Sequence, residues 1–393
     1  MDRELEALDA WNRAGKPAVD TVQVAGLKHT RYRAAERLID LQPGEQLTAA
    51  KLSRARKRLS FLPSSSTSRV SYVPLADGRA QIDAAIVERS RLPGVSDLLI
   101  AAAKAPFSRD VELSMTNIVG GGERVSGSWR FREGFERVGA AVDTPALLPF
   151  GALWRVEGFD ARETYSVGGT IIETRRRRAA FQATDWATRS LGWMASAGVE
   201  RWPSGADDAG DGKIYAAARV MLAPVEGVDA HVTAEGWMRG AGATRLSARA
   251  RASRAAAGGI IEVTAGTEGV HGRTPLFLFP GAGDGHLRAP LLRAHPLVTG
   301  GAINVDEGQI VARRLLHGTV EWTRPVARVA LASIDAAVFV DAARGWQMLD
   351  SRASAHQIDA GAGIRVRVPG AGTFRLDIAR GLLDGRWAVT GGK

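Results

Sequence analysis

The side chains with most scope for chemistry in this 393-residue chain are seven histidines, a serine triplet, a glycine triplet and many arginines. His271, His286 and His295 share one loop-rich stretch with Asp284, but histidine spacings of 15 and 9 match no metal-ligand motif. Solvated loop histidines are the simpler reading. Ser64-Ser65-Ser66 lacks the G-x-S-x-G frame of a nucleophile elbow, and no Ser/His/Asp order stands out. Gly120-Gly121-Gly122-Glu123 lacks the Gly-Lys-Ser/Thr ending of a phosphate loop, and a hairpin turn accounts for it. With no cysteine, disulfides and Cys-ligated zinc or iron–sulfur centres are excluded. The residues therefore point to no enzyme, no metal and no required cofactor.

Arginine is what remains. The chain carries 52 Lys+Arg against 42 Asp+Glu, a net charge of +10. Nucleic-acid binding wants a basic patch interleaved with aromatics, whereas the strongest run, Arg175–Arg178, precedes a strand-like stretch at Ala179–Ala187. It reads as loop or lumen, and no nucleic-acid partner is expected. Lys51, Arg54, Lys57 and Arg58 mark one helix face, either solvated or set against anionic lipid headgroups.

The elements that must position these charges fall into two regions. Residues 1–20 are polar and lack the pattern of a secretory signal, so they read as a linker and a truncated start. Residues 21–90 form a small α+β unit. Val22 and Val24 suggest a strand; Tyr32, Ala35, Leu38 and Ile39 recur at helical spacing. Thr48 can cap a second helix carrying Leu52, Ala55 and Leu59, and an Asp77-Gly78 turn joins two alternating runs. The order is β-α-α-β-β. Residues 91–109 read as a linker.

From Asp110 to the end, apolar and polar residues alternate with period two. Val125, Gly127, Trp129 and Phe131 oppose Arg124, Ser126, Ser128, Arg130 and Arg132; Ile364, Val366 and Val368 oppose Arg365 and Arg367. No apolar run reaches 18 residues, which excludes a helical membrane span but not a barrel, whose strands alternate. One face is Ala/Val-rich and the other rich in arginine, as lipid outside and water inside require. Nine of the ten tryptophans lie in this region, as an interfacial girdle would place them. A large soluble sandwich alternates too, but its buried faces are built from heavier side chains. The fold expected is mostly β: an antiparallel transmembrane β-barrel of about 16 strands over 110–393, preceded by the α+β domain.

Three stretches carry a resemblance to a known family. Val22–Gly26 through Leu41-Gln42-Pro43-Gly44-Glu45, with Leu59–Pro63 and Val87-Glu88, looks like a POTRA domain. Thr116–Glu123 is similar to a first barrel hairpin. Phe279-Pro280-Gly281, Val320-Glu321-Trp322, Val338–Ala342, Gly361–Val368 and Phe374–Ile378 form the third stretch. Together they resemble the BamA/TamA-type superfamily of outer-membrane barrels with periplasmic POTRA domains, also called bacterial surface antigens. The resemblance implies the bacterial outer membrane, with the POTRA domain in the periplasm. It also implies non-catalytic insertion or translocation of unfolded or extended polypeptide clients, among outer-membrane lipids and with periplasmic or lipoprotein partners. A barrel that anchors or translocates a lost N-terminal passenger, as in patatin-type autotransporters, is an alternative. A soluble β protein with an arginine-lined cavity is another.

In that family a luminal loop places an arginine against acidic wall residues. Arg293 is the best match here and Arg288 its rival, with Glu321 and Asp341 as wall partners. Arg293 departs from the family pattern in being followed by Ala-His rather than Gly and an aromatic. The last strand, Arg386–Lys393, lacks a terminal aromatic. Val111, Leu113 and Met115 on the first strand, with Trp387 and Val389 on the last, would form a lateral seam.

Overall fold

The computed structural model describes residues 3–145, 147, 151–202, 212–239, 242–283, 292–305, 308–330, 332–368 and 372–392. The start is folded rather than a polar linker. In α1 (Arg3–Ala14) the residues Leu5, Leu8 and Trp11 recur every three positions and pack on the core of the small domain. The rest of that domain follows the expected order: β1 (Ala18–Ala25), α2 (Tyr32–Ile39), α3 (Ala49–Leu59), β2 (Ser65–Pro74) and β3 (Arg79–Glu88). Its sheet runs β1-β3-β2, with β1 parallel to β3. The Thr48 side chain accepts from Lys51 N at 3.2 Å, capping α3, and Gly78 turns the β2–β3 hairpin at φ 80°. Leu38, Leu52, Leu59, Val70 and Ile82 are fully buried at its centre.

The stretch 91–109 is not only linker, because Leu98-Leu99-Ile100-Ala101-Ala102-Ala103-Lys104 is a run of mostly good helix formers and lies in α4 (Val95–Ser108). The wall then begins with β4 (Asp110–Thr116), β5 (Arg124–Arg132), β6 (Phe135–Thr144), β7 (Leu153–Val167) and β8 (Thr170–Trp186). It continues with β9 (Leu191–Arg201), β10 (Gly212–Val225), β11 (Val228–Met238), β12 (Ala243–Ala256) and β13 (Gly259–Gly272). An inward segment holds three short strands, β14 (Gly281–Ala282), β15 (Val298–Thr299) and β16 (Ala302–Asn304). The wall resumes as β17 (Ile310–Val329), β18 (Ala332–Met348), β19 (Ser354–Val368), β20 (Gly372–Gly381) and β21 (Trp387–Gly392).

These strands close into a barrel. Among the described residues fifteen build the wall, in line with about sixteen expected. Antiparallel register sets the two faces. Val138, Val156, Val199, Val220, Val263, Val320 and Val338 are exposed on the outside, while their chain neighbours turn inward. The Arg175–Arg178 run is neither loop nor wholly luminal: it lies inside β8, and the strand period splits it. Arg176 and Arg178 face Glu200 in the lumen, whereas Arg175 and Arg177 share Asp160 on the outside.

The basic face of α3 is also corrected. Arg58 binds Asp185 on β8, with Nε 2.6 Å from Oδ1, and also reaches Asp40; Lys57 donates to the Arg189 carbonyl. Arg31 N donates to Gly120 O at 2.9 Å, so the small domain is docked on the barrel turns. Arg58 and Asp185 are nearly buried, and breaking such a pair costs about 3–5 kcal/mol. Arg58→Ala should therefore speed limited proteolysis between domain and barrel several-fold, with little change in barrel thermal stability. Unchanged cleavage would refute this docking role.

Candidate functional site

The segment between β13 and β17 folds into the lumen because its own apolar residues need cover. Phe277, Leu278 and Phe279 pack with Phe135, Tyr165, Tyr215, Trp202 and Trp237, all buried. Trp202 and Trp237 therefore serve an internal core rather than an interfacial girdle, whereas Trp129 and Trp387 are exposed outside. β14 pairs with β17, and β16 pairs in parallel with β7 on the far wall, pinning both ends of the segment.

Leu292 anchors the turn that presents Arg293. Its side chain is buried among Ala282, Ile310, Ala312 and Leu315, its φ is +55°, and His295 N donates back to Leu292 O at 3.0 Å. Arg293 is 5% exposed and stacks over Phe339 at 3.6 Å. Its Nη1 lies 2.7 Å from Glu321 Oε2 and 3.6 Å from Asp377 Oδ2, and its Nε lies 3.2 Å from Asp341 Oδ2. Arg293, Glu321 and Asp341, singled out in the sequence, are thus brought together. Arg288, His286 and Asp284 lie outside the described residues.

Several members of this network were not singled out. Arg365 forks onto Glu321 at 3.0 and 2.9 Å and reaches Asp377 at 2.5 Å, where Arg375 also arrives at 3.0 Å. Ala294 N donates to Asp359 at 2.7 Å. His295 bridges Asp359 through Nδ1 and Asp384 through Nε2, each at 2.8 Å. The residues that follow Arg293 here are therefore engaged in the same attachment: Ala294 fits against Phe339 and Ala379, and His295 supplies a second clasp. The alternation around Arg365 and Asp377 placed both on the polar face, which was a usable signal. Nothing local marked Asp359 or Asp384 as partners of His295.

Gly363 makes room for this charge network. A Cβ there would lie 2.0 Å from Asp377 Oδ1, 2.5 Å from the Leu376 backbone O and 3.0 Å from Arg365 Nη1. Gly363→Ala should push the Asp377 carboxylate off its arginines and lower the temperature at which the folded barrel loses its compact migration by several degrees. A midpoint equal to wild type would show that the carboxylate moves without cost.

The seam residues are positioned as follows. Leu113, Met115, Trp387 and Val389 are exposed, and Val111 is half-buried. Because the wall ladders are antiparallel and fifteen strands make an odd number, β4 and β21 run in the same direction. They are the shortest wall strands, seven and six residues, where a tilted span needs about 9–11. The barrel closes between β21 and β4, where the contact is far smaller than in the other neighbouring wall pairs, each of which is joined by a ladder of paired residues. α4 lies against β4 on that side, and a cavity of about 730 Å³ follows the edge of β4 from Asp110 to Thr116.

No family model matches the chain, and no curated protein matches it. Solved structures do. BamA from Haemophilus ducreyi lacking POTRA domains 1–3 superposes with a TM-score of 0.59 at 12% identity, over 96% of this chain and 85% of that one. CdiB from Escherichia coli gives 0.61 at 11% identity, over 96% and 76%. CdiB from Acinetobacter baumannii gives 0.57 at 10% identity, over 96% and 73%. The short-stranded seam, the inward segment and the docked α+β domain thus belong to a chain whose fold is that of the BamA and CdiB barrels.

Proposed function

We propose that this protein is a non-catalytic outer-membrane barrel that inserts polypeptides into, or translocates them across, the bacterial outer membrane. The exposed valine and alanine belt supports the membrane setting, since such an apolar surface needs lipid against it. The observation that carries the activity is the seam between β4 and β21. Two short strands that point the same way meet there at the barrel closure, and opening so small a contact would leave backbone donors and acceptors for an incoming strand. An extended client segment can pair with β4 there, as its backbone groups demand in lipid. The edge strand β2 of the small domain offers a second pairing surface on the periplasmic side.

Purified protein in liposomes should accelerate protease-resistant insertion of an unfolded barrel client several-fold over empty liposomes. Linking cysteines introduced at Leu113 and Val389 with a cleavable bismaleimide should abolish the acceleration, and cleavage should restore it; the chain has no native cysteine to interfere. Equal rates with and without the protein would overturn the reading. So would a chain that stays soluble and monomeric without detergent.

A further inference from the structure

Arg130 on β5 and Arg137 on β6 are direct register partners, so two guanidinium groups sit opposite each other on the luminal face. Like charges so placed repel. Arg137 stacks on Phe159 at 4.0 Å, and Arg176 and Arg178 approach the same ring at 5.4 and 5.9 Å. The acids nearby do not match the arginines in number: the smaller cavity is lined by Arg130, Arg137, Arg162, Arg176 and Arg245 against Glu136 and Glu163. Glu200 takes Arg176 and Arg178, Glu157 takes Arg155 at 3.1 Å, and Glu163 accepts from the Tyr165 hydroxyl at 2.5 Å. Asp110 is the other register neighbour of Arg130, and it too lines the larger cavity. Among the described residues no carboxylate lies within ion-pair distance of Arg137, Glu157 acting on it only from farther away, and its Nε is buried without an acceptor. The pair borders a cavity of about 200 Å³ and also lines the larger one beside β4.

We propose that Arg130 and Arg137, backed by the Phe159 ring, bind a phosphate-type oxyanion in the lumen. Two planar forks converging from neighbouring strands offer many N–H donors to one tetrahedral group, and a dianion cancels the repulsion that the bare pair suffers. A monovalent carboxylate meets only half of that charge. The cavity of about 200 Å³ is several water volumes across, enough for a phosphate group with its first waters. Because the same two arginines line the cavity at the seam, the oxyanion can come from solution or from a phosphorylated lipid headgroup entering beside β4. The site requires neither a client nor the proposed activity.

The test is titration of inorganic phosphate, at constant ionic strength, into the folded full-length protein in a non-ionic detergent. Acetate serves as the monovalent control and short-chain phosphatidic acid as the lipid arm. Calorimetric binding and the temperature at which the barrel loses its compact migration are both read. Phosphate should bind wild type and raise its midpoint; Arg137→Gln and Arg130→Gln should each weaken binding at least tenfold and abolish the rise. A phosphatidic acid response stronger than that of phosphate assigns the headgroup as the source, and an equal response assigns the free anion; either supports the site. No binding to wild type, an equal response to acetate, or full phosphate affinity in both variants overturns it. Two separate variants guard against a single substitution that fails to fold.

Discussion

Arg293→Ala should destabilise the folded barrel by about 3–5 kcal/mol, the loss seen when one partner of a buried ion network is removed. Arg293, Arg365 and Arg375 face Glu321, Asp341 and Asp377, three charges against three, with Asp341 and Asp377 fully buried. Deleting Arg293 leaves one carboxylate without a counter-charge and a void beside Phe339, so the inward segment loses its central attachment. The compact band on an unheated gel should disappear at a markedly lower temperature, and refolded yield should fall. Arg293→Lys keeps the charge but not the fork that spans Glu321 and Asp341, and should recover only part of the loss. Arg251→Ala is the contrast: its side chain is 51% exposed and its partner Glu262 38% exposed, and such a pair is worth about 1 kcal/mol or less. Arg288→Ala should likewise cost less than Arg293→Ala. Equal stability and yield for wild type, Arg288→Ala and Arg293→Ala would remove Arg293 from the role given to it.

Raising the pH from 6 to 9 should loosen the clasp at His295. Burial works to lower its pKa, but the flanking Asp359 and Asp384 carboxylates outweigh that and hold it above the ordinary histidine value. The protonated form therefore favours the folded state. This stabilisation is complete below the unfolded value near 6.5 and is lost as pH climbs through the higher folded value. Neutral imidazole carries one N–H, so whichever tautomer forms, one ring nitrogen then faces a carboxylate as acceptor to acceptor. Other charges packed near the clasp are Arg293 on the same segment and Asp341 on β18, neither of which replaces the lost donor. His295→Gln should cost about 2–3 kcal/mol at pH 6, the scale of a hydrogen bond to a buried charge, and should flatten the pH dependence. A wild-type midpoint that is constant across this range, or a variant with the same slope as wild type, would falsify the clasp.

Much of the architecture is legible in local patterns because barrels and small α+β domains are written in periodicity. Thr48, Gly78 and the alternation from Val125 onward fix caps, turns and faces through geometry that spans only a few residues. The same period reads Arg365 and Asp377 as inward. It is hidden at Arg175–Arg178, where four like residues mask the alternation, and at residues 1–20, where the apolar stripe of Leu5, Leu8 and Trp11 is diluted by the polar residues between them.

Composition and spacing by themselves determined a barrel of alternating strands and an α+β domain before it; the resemblance added the expectation of a luminal arginine, Arg293 or its rival Arg288, against Glu321 and Asp341. Only the tertiary structure decided that Asp377, Arg365 and Arg375 join the Arg293 network, that His295 joins Asp359 to Asp384, and that Arg58 docks on Asp185. It also decided that α4 accompanies a short first strand where the barrel closes on the last. These contacts join residues up to 127 positions apart, and such pairing depends on barrel closure and strand register rather than on neighbouring residues.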